Sequence, residues 1–292
     1  MALRSGKYDL IHAHWLIPQG LVAILAKKIF GFKIPLLCTS HGGDLFALRG
    51  PFFKVLKKRV LAEADGITVV SRAMKTEVES LGCNPDKIEV IPMGVDLRET
   101  FVPSSKRREG KQILFVGRLV EMKGLIYIIR AFPTVMKHHP DATLVIAGSG
   151  PEEGRLRDTV NKLGLGDKVS FKGPIPNQKL PALYQESSMV VFPSIGQEGF
   201  GLVMVEALGC ECPVVATDLP AIRDIIADGE TGLIVPQRDD QALAERIIDL
   251  LDHPEEGERL ARNGRRFVLE RYDWAVIAEK YRELVERMIR ES

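Results

Sequence analysis

Short apolar runs alternate with longer stretches of helical periodicity along most of this chain. In the first third, strand-like runs begin at residues 8, 35, 66 and 87, and the helix-like segment 19–30 separates the first two. Strands that alternate with helices are typical of a parallel sheet covered by helices on its faces. The pattern therefore predicts an α/β domain over residues 1–104 that contains about four strands.

The alternation restarts after the polar stretch 103–110, which we predict to be an interdomain linker. Strand-like runs now begin at residues 111, 141, 168, 189, 213 and 231, and a helix-like segment follows each of them. The helix after the fifth run is expected to reach about residue 227. This regular pattern predicts a complete Rossmann-like domain over 105–270, and an amphipathic helix over 271–292 that packs back on the first domain.

Composition excludes several classes of protein. The 292 residues include 40 basic and 39 acidic side chains, which gives a formal net charge of +1. This balance of charge does not favour nucleic acid as a partner. The four cysteines lie mostly in apolar runs and lack zinc-site spacing, which predicts small core residues in a reducing compartment. The start of the sequence lacks a signal-peptide pattern, and no apolar run approaches the roughly 20 residues of a membrane span. These features predict a cytoplasmic protein.

One glycine-rich stretch, residues 193–207, combines features of a ligand site. It follows a strand-like run and leads into a helix-like run from Leu202, and it places Glu198 and Glu206 on either side of that junction. Glycines let the backbone approach a ligand, and the unpaired amide groups of a helix start favour an anion. A carboxylate one turn into the helix can accept hydrogen bonds from a ribose diol. The alternative is a capped helix with two solvated glutamates.

Ligands of parallel sheets lie beyond the carboxyl ends of the strands, so residues directly after each strand deserve the most weight. Arg118 and Lys123 flank a predicted helix start after the run at 111–119. Cations are unfavourable beside a helix N-terminus, so this pair suggests an anionic partner such as a diphosphate, although an ordinary basic helix start remains the alternative. The turn 148–150 lacks the third glycine of a dinucleotide fingerprint and predicts only a tight turn near a ligand.

Three histidines follow or end strands of the first domain. His41 precedes Gly42-Gly43-Asp44 after the second strand, and His12 and His14 end the first strand. Each is suited either to bind a ligand or to serve as a satisfied, partly buried histidine. The sequence has no Asp-x-Asp motif and no clustered spacing of metal ligands, so we predict neither a metal nor a cofactor.

The segment 52–59 mixes aromatic and basic residues on a predicted helix. Such a helix can rest on an anionic membrane surface, but a solvated charged face is the commoner explanation. The sequence therefore predicts either a fully cytoplasmic protein or one in peripheral contact with the inner membrane face.

Together these residues resemble the retaining glycosyltransferases of family 4. Members have two Rossmann-like domains in the GT-B arrangement and bind a nucleotide-sugar in the cleft between them. Residues 198–206 resemble the family's E-x7-E motif, residues 117–124 its diphosphate-binding turn, and residues 41–44 its HG-x-D segment. The resemblance covers essentially the whole chain from Tyr8.

The resemblance implies a role for each candidate residue. His41 and Glu198 would be catalytic, and Glu206 would bind the ribose. Three further groups are implied: diphosphate-binding Gly117, Arg118 and Lys123; sugar-binding Glu198, Gly199, Phe200, Gly201 and Leu202; and base-flanking Gly173 and Ile175. On the acceptor side it would place His14 and Asp44.

The same resemblance implies an incomplete first domain. Family members normally carry roughly 80 more residues ahead of the segment that matches Tyr8, and these residues include a first strand. With about 80 more residues, the first domain would also have the size of an ordinary domain. We therefore expect a sheet edge that is either exposed or covered in a different way, and an exposed edge favours self-association. A truncated chain, a partner that supplies the missing part, or a donor site kept without activity would each account for this difference.

Three functions remain open at this point. The first is a metal-independent hexosyltransferase that moves a sugar from a nucleoside diphosphate to a saccharide or lipid-linked acceptor. The second is a nucleotide-sugar-binding remnant with little or no transferase activity. The third, an epimerase that acts on the nucleotide-sugar, would need further acid/base carboxylates that the sequence does not identify.

Overall fold

The computed structural model describes residues 8–105 and 110–292, so residues 106–109 of the predicted linker lie outside it. Two compact units are present: unit 1 comprises residues up to Gly94 together with Ala275–Ser292, and unit 2 comprises Val95–Trp274. Each unit is built around its own parallel sheet. Within the described residues, no helix is both long and apolar enough to cross a membrane.

Unit 1 contains a four-stranded parallel sheet in which spatial order follows chain order. Its strands are β1 (Ile11–His14), β2 (Leu36–Ser40), β3 (Gly66–Val69) and β4 (Ile88–Val90). The connecting helices are α1 (Leu21–Phe30), α2 (Pro51–Glu63) and α3 (Arg72–Ser80). Strands β2 and β3 are buried along their whole length, which is typical of a parallel sheet that is covered on both faces.

Helix α10 (Trp274–Arg290) packs against this first sheet. Its apolar residues Ile277, Leu284 and Met288 form a core cluster with Leu37 and Ile91. The charged face of the helix adds an ion pair between Arg287 and Glu89. The apolar side of this amphipathic helix is thus buried against the sheet, as the spacing of its apolar residues predicts.

Unit 2 contains a six-stranded parallel sheet in the spatial order β10-β9-β8-β5-β6-β7. The strands are β5 (Gln112–Val116), β6 (Thr143–Ala147), β7 (Val169–Gly173), β8 (Met189–Phe192), β9 (Val214–Thr217) and β10 (Leu233–Val235). The chain adds strands on one side of β5 up to β7 and then returns to place β8 on the other side. The gap between β5 and β8 is therefore the topological switch point, where ligands of such sheets bind.

Helices cover this second sheet. They are α4 (Leu125–His138), α5 (Glu153–Lys162), α6 (Leu180–Glu186), α7 (Leu202–Gly209), α8 (Asp240–Asp252) and α9 (Pro254–Tyr272). The main core cluster joins buried side chains of α4 and α8 to the sheet, with Phe132 and Ile247 fully buried. Burial of this apolar surface is the chief stabilising contribution to the unit.

The sequence prediction is wrong for the helix between β9 and β10. Only one short turn, Ile222–Asp224, forms there. Side chains just beyond it bond to backbone amides: the Ala227 N–H donates to Thr231 Oγ1 at 2.9 Å, and the Ile234 N–H donates to an Asp228 carboxylate oxygen at 2.8 Å. These local bonds offer the backbone an alternative to a helix, and the turn ends early.

Candidate functional site

Four turns meet at the carboxyl end of the second sheet. They follow β5, β6, β7 and β8, and backbone hydrogen bonds join them: Gly148 N donates to Gly173 O at 2.8 Å, Leu119 N to Ser149 O at 2.9 Å, and Ile195 N to Met122 O at 2.9 Å. The turns therefore form one connected surface at the switch point, although they lie far apart in the sequence.

Two glycines allow this close meeting of backbones. Gly148 has φ +142°, and a Cβ there would lie 1.8 Å from the carbonyl oxygen of Gly117. Gly124 has φ +65°, and its Cβ would lie 2.0 Å from the carbonyl oxygen of Pro193. Both positions combine a positive φ with space for a hydrogen atom alone, so only glycine fits.

A cavity of about 310 Å³ opens between the turns after β5, β6 and β7. Its lining includes Gly117, Arg118, Gly148 and Ile175, and Leu180 of α6 contributes an apolar side chain. A pocket of mixed apolar surface and backbone amides with one arginine suits a flat ring that carries an anionic group. The structure thus places the predicted base-flanking and diphosphate-binding turns around the same space.

Lys123 and Glu198 form an ion pair across the switch point. Lys123 Nζ donates to Glu198 Oε1 at 2.6 Å, and the hydroxyl of Ser194 donates to the same oxygen at 2.7 Å. The side chains are 17% and 9% exposed, and Lys123 Nζ also lies 5.0 Å from the centre of the Phe192 ring. Because the pair is largely shielded from water, either charge left alone would be strongly unfavourable there.

The loop after Glu198 leads into the first turn of α7. Gly201 precedes the helix with φ +109°, and the Phe200 side chain is 4% exposed and packs edge-on against the Tyr272 ring at 5.3 Å. The buried Phe200 ring anchors the loop, and the amide groups at the start of α7 lack intrahelical partners by the geometry of any helix. These amides carry the partial positive charge that attracts an anion.

Glu206 lies one turn into α7 and is 7% exposed. The hydroxyl of Tyr184, a fully buried residue of α6, donates to Glu206 Oε2 at 2.7 Å. Burial raises the pKa of the Glu206 carboxyl, and hydrogen bonds from Tyr184 and Asn177 oppose that rise. Burial also raises the pKa of the Tyr184 hydroxyl, which therefore remains a hydrogen-bond donor.

In unit 1 the three predicted histidines form a stack. The rings of His12 and His14 are 4.3 Å apart, those of His14 and His41 are 5.2 Å apart, and His14 Nδ1 lies 2.9 Å from His41 Nε2. His12 Nε2 bonds to Thr39 Oγ1 at 2.7 Å. Burial lowers the pKa of His41, the neighbouring His14 lowers it further, and Asp44 opposes this shift, so the neutral form of the ring is favoured.

Asp44 is 1% exposed, and both of its carboxylate oxygens have partners within unit 1. The Leu16 amide donates to one oxygen at 2.7 Å, and the Ser40 hydroxyl donates to the other at 2.9 Å. Asp44 thus ties the turn that carries His41 to the chain just after β1. An acceptor-side role for Asp44 and His14 stays a prediction.

The histidine stack should make the stability of unit 1 depend on pH. Burial, followed by the charges of His14 and His41, lowers the pKa of His12 from its usual value of 6.5 to about 4. The unfolded chain therefore binds a proton below about pH 6.5 that the folded chain does not bind until near pH 4, so stability is complete above this window and falls as pH decreases through it. Because the ring is only partly buried, we expect a loss of about 1–2 kcal/mol.

Denaturation of wild type and His12→Gln at pH 7 and pH 5 checks this expectation. The variant should lose less stability on acidification, whereas His253→Gln, which changes a histidine with a 68% exposed side chain, should behave like wild type. Equal acid sensitivity of His12→Gln and wild type would contradict it.

The structure brings most of the predicted residues of unit 2 together and adds others that the sequence did not reveal. Ser194 and Tyr184 directly contact the two predicted carboxylates, and Asn177 supports Glu206. Ser194 lies two residues after the end of β8, and a serine at such a position is a weak sequence signal of a site. Tyr184 lies at a helical core position and gives no signal of its own.

Two family models match this chain. The family model described as Glycosyl transferases group 1 matches residues 97–267, and the model described as Glycosyltransferase Family 4 matches residues 1–99. This chain belongs to the group 1, family 4 glycosyltransferases. It is an enzyme, and the two parallel-sheet units of this glycosyltransferase have the GT-B fold.

Individual relatives resemble most of the chain. A phosphatidyl-myo-inositol mannosyltransferase of Mycobacterium leprae is 33% identical over 289 residues, an alignment that covers 97% of this chain and 75% of the relative. Sucrose-phosphate synthase of Thermosynechococcus elongatus has a similar structure, with a TM-score of 0.86 and 27% identity over 100% of this chain and 77% of that one. HepE of Anabaena, solved with UDP-glucose, has a TM-score of 0.86 at 22% identity, and the match covers 98% of this chain and 81% of HepE. At this identity the similarity supports the fold alone.

Proposed function

We propose that this glycosyltransferase moves a hexosyl unit from a nucleoside diphosphate sugar to a saccharide or lipid-linked acceptor, with retention of configuration and without a metal. The observation that carries the proposal is the Lys123–Glu198 pair at the switch point, on the same edge of the sheet as the turn that carries Arg118. The printed names of the relatives support it, since they describe a mannosyltransferase and a sucrose-phosphate synthase.

Each part of the site has a proposed task. The cavity beside Ile175 receives the base, Glu206 accepts hydrogen bonds from the ribose, and Arg118 with Lys123 binds the diphosphate. Glu198 and the amide groups of residues 199–202 contact the donor sugar. His41 is assigned a catalytic role, and the lowered pKa of this histidine suits a hydrogen bond better than a charge contact.

The chemistry follows from charge. When the bond between the sugar and the diphosphate breaks, positive charge develops on the sugar ring and negative charge on the departing diphosphate. Arg118, Lys123 and the N-terminus of α7 would stabilise that negative charge, which is the contribution that a metal ion makes in other transferases. The carboxylate of Glu198 would favour the positive charge on the sugar.

A donor panel tests the proposal directly. Release of nucleoside diphosphate from UDP-, GDP- and ADP-sugars should be measured with saccharide and lipid-linked acceptors, with and without EDTA. Wild type should turn over at least one donor, EDTA should leave the rate unchanged, and Glu198→Ala should remove activity while Glu230→Ala retains it. Binding of a nucleotide without turnover of any donor would favour the nucleotide-sugar-binding alternative and contradict the transferase proposal for this chain.

Contact with a membrane and self-association stay predictions. Helix α2 exposes Phe52 and Val55, which are 67% and 65% exposed. Lys57 on the same helix is instead buried, and its ammonium group donates to the carbonyls of Leu45 and Leu48 at 2.6 and 2.7 Å. Co-sedimentation with anionic phospholipid vesicles tests the first prediction, and sedimentation velocity tests the second.

A further inference from the structure

Helix α6 connects the cavity to the buried carboxylate of Glu206. Leu180 lines the cavity, and Tyr184 lies one turn further along the same face of the helix. The Tyr184 ring is fully buried, with the Phe101 ring 6.1 Å away, so its position is fixed by packing. Its hydroxyl donates to Glu206 Oε2 at 2.7 Å. Because packing fixes the ring, this hydroxyl holds one oxygen of the carboxylate that we assign to the ribose.

The hydrogen bond has a chemical consequence for Glu206. A carboxylate offers about four acceptor positions on its two oxygens, and the hydrogen bonds from Tyr184 and Asn177 occupy two of them. The fully buried Tyr184 restricts the rotation of the group. The remaining positions can accept hydrogen bonds from a diol. Without the hydroxyl, the buried carboxyl would lose a donor that stabilises its charged form, and its pKa, already raised by burial, would rise further. A protonated or rotated Glu206 is a poorer acceptor for ribose hydroxyls.

We propose that Tyr184 is a positioning residue that holds Glu206 in the orientation needed to accept the ribose hydroxyls, and thereby makes donor binding dependent on the ribose. This inference rests on the proposed nucleotide-sugar function, because it assigns a ribose to Glu206. Tyr184 itself does not touch the substrate. Its effect is exerted entirely through Glu206, so the two residues should act as one unit in mutational tests.

The experiment compares ribonucleotides with their 2′-deoxy counterparts. Calorimetry should give the Kd of UDP, GDP and ADP and of the three 2′-deoxy diphosphates for wild type, Tyr184→Phe, Glu206→Gln and the double variant. Tyr184→Phe removes one oxygen atom and leaves the ring in place. For the base that binds, wild type should prefer the ribonucleotide by about tenfold or more, the usual effect of a hydrogen bond to a charged group. Tyr184→Phe should reduce that preference to about threefold or less.

Two further results separate positioning from general destabilisation. In the Glu206→Gln background, Tyr184→Phe should cause no additional loss of ribose preference. Tyr272→Phe is the matched control, because it also removes a buried hydroxyl, one that donates to the backbone oxygen of Asp224 at 2.6 Å. That variant should keep the wild-type preference even if its melting temperature falls. In turnover, Tyr184→Phe should raise KM for the donor and change kcat little.

The possible failures are distinguishable. If wild type distinguishes ribose from deoxyribose and Tyr184→Phe does so equally well, the role of Tyr184 is overturned while the proposed function stands. If wild type binds none of the nucleotides, the proposed function fails and this inference fails with it. If Glu206→Gln still prefers ribose as wild type does, the assignment of Glu206 is wrong, and Tyr184 has no ribose specificity to control.

Discussion

Lys123→Ala should reduce the rate of sugar transfer about 100- to 1,000-fold, the usual effect of removing one group that stabilises developing negative charge. The substitution removes a cation from the proposed diphosphate position. It also leaves the carboxylate of Glu198, 9% exposed, without the ammonium partner that lies 2.6 Å away. An unpaired carboxylate beside a diphosphate adds repulsion to the lost attraction. Both effects act against the departing diphosphate, so kcat should fall along with donor affinity.

The two contributions can be separated by a second variant. Lys123→Ala combined with Glu198→Gln removes the repulsion by the carboxylate but does not restore the missing cation. It should bind nucleoside diphosphate more tightly than Lys123→Ala alone, although it should remain inactive. Lys123→Arg retains the charge in a different shape and should retain part of the affinity. Lys162→Ala, an exposed lysine at the end of α5, is the matched control and should behave like wild type.

Calorimetric Kd values for the nucleoside diphosphate and steady-state rates for the donor are the measurements required. A rate for Lys123→Ala within threefold of wild type would show that the ion pair at the switch point takes no part in the reaction. Equal nucleotide affinity of Lys123→Ala and the double variant would show instead that Glu198 does not face the diphosphate.

The Lys123–Glu198 pair also shows how far the sequence can predict the site. Periodicity places each residue after a strand, and the rule for parallel sheets places both at the ligand-binding edge. Periodicity does not give the order of strands. The two residues are neighbours because β8 lies beside β5 although the residues are 75 positions apart in the sequence. That adjacency depends on tertiary packing.

Tyr184 and the short turn after β9 mark two limits of sequence analysis for different reasons. Tyr184 occupies an apolar position on α6, where an aromatic residue is usually a core residue, and only the folded chain shows that its hydroxyl reaches Glu206. The turn at Ile222–Asp224 ends because Thr231 and Asp228 bond to nearby amides. Whether a threonine or an aspartate bonds locally or faces solvent is decided by the path of the backbone, which periodicity does not specify.

The role of a glycine is easier to predict from the sequence than that of Tyr184 or of the turn after β9, because a glycine acts mainly through the backbone conformation that it allows. The sequence predicts a tight turn near a ligand at 148–150, and the structure places Gly148 in the lining of a cavity. The degree of crowding is what the structure adds: a Cβ on Gly148 would lie 1.8 Å from Gly117 O.

Gly148→Ala should destabilise unit 2 by about 3 kcal/mol or more and abolish nucleotide binding. The residue has φ +142°, a conformation that alanine rarely adopts, and the added methyl group would collide with the Gly117 carbonyl. Neither backbone can move easily, because Gly117 N donates to Ala147 O at 3.0 Å and Gly148 N donates to Gly173 O at 2.8 Å. Relief of the collision must therefore displace three turns that line the cavity.

Gly154→Ala provides the matched control on the neighbouring helix α5. Nothing lies within 4 Å of a Cβ at that position, and its backbone does not need glycine. The control should keep wild-type nucleotide affinity and be unchanged or more stable by about 0.5–1 kcal/mol, since alanine is the better helix residue. Chemical denaturation gives the stability of each variant, and calorimetry gives its nucleotide affinity. If Gly148→Ala unfolds with wild-type stability and still binds nucleotide, the close meeting of these turns is not what shapes the site.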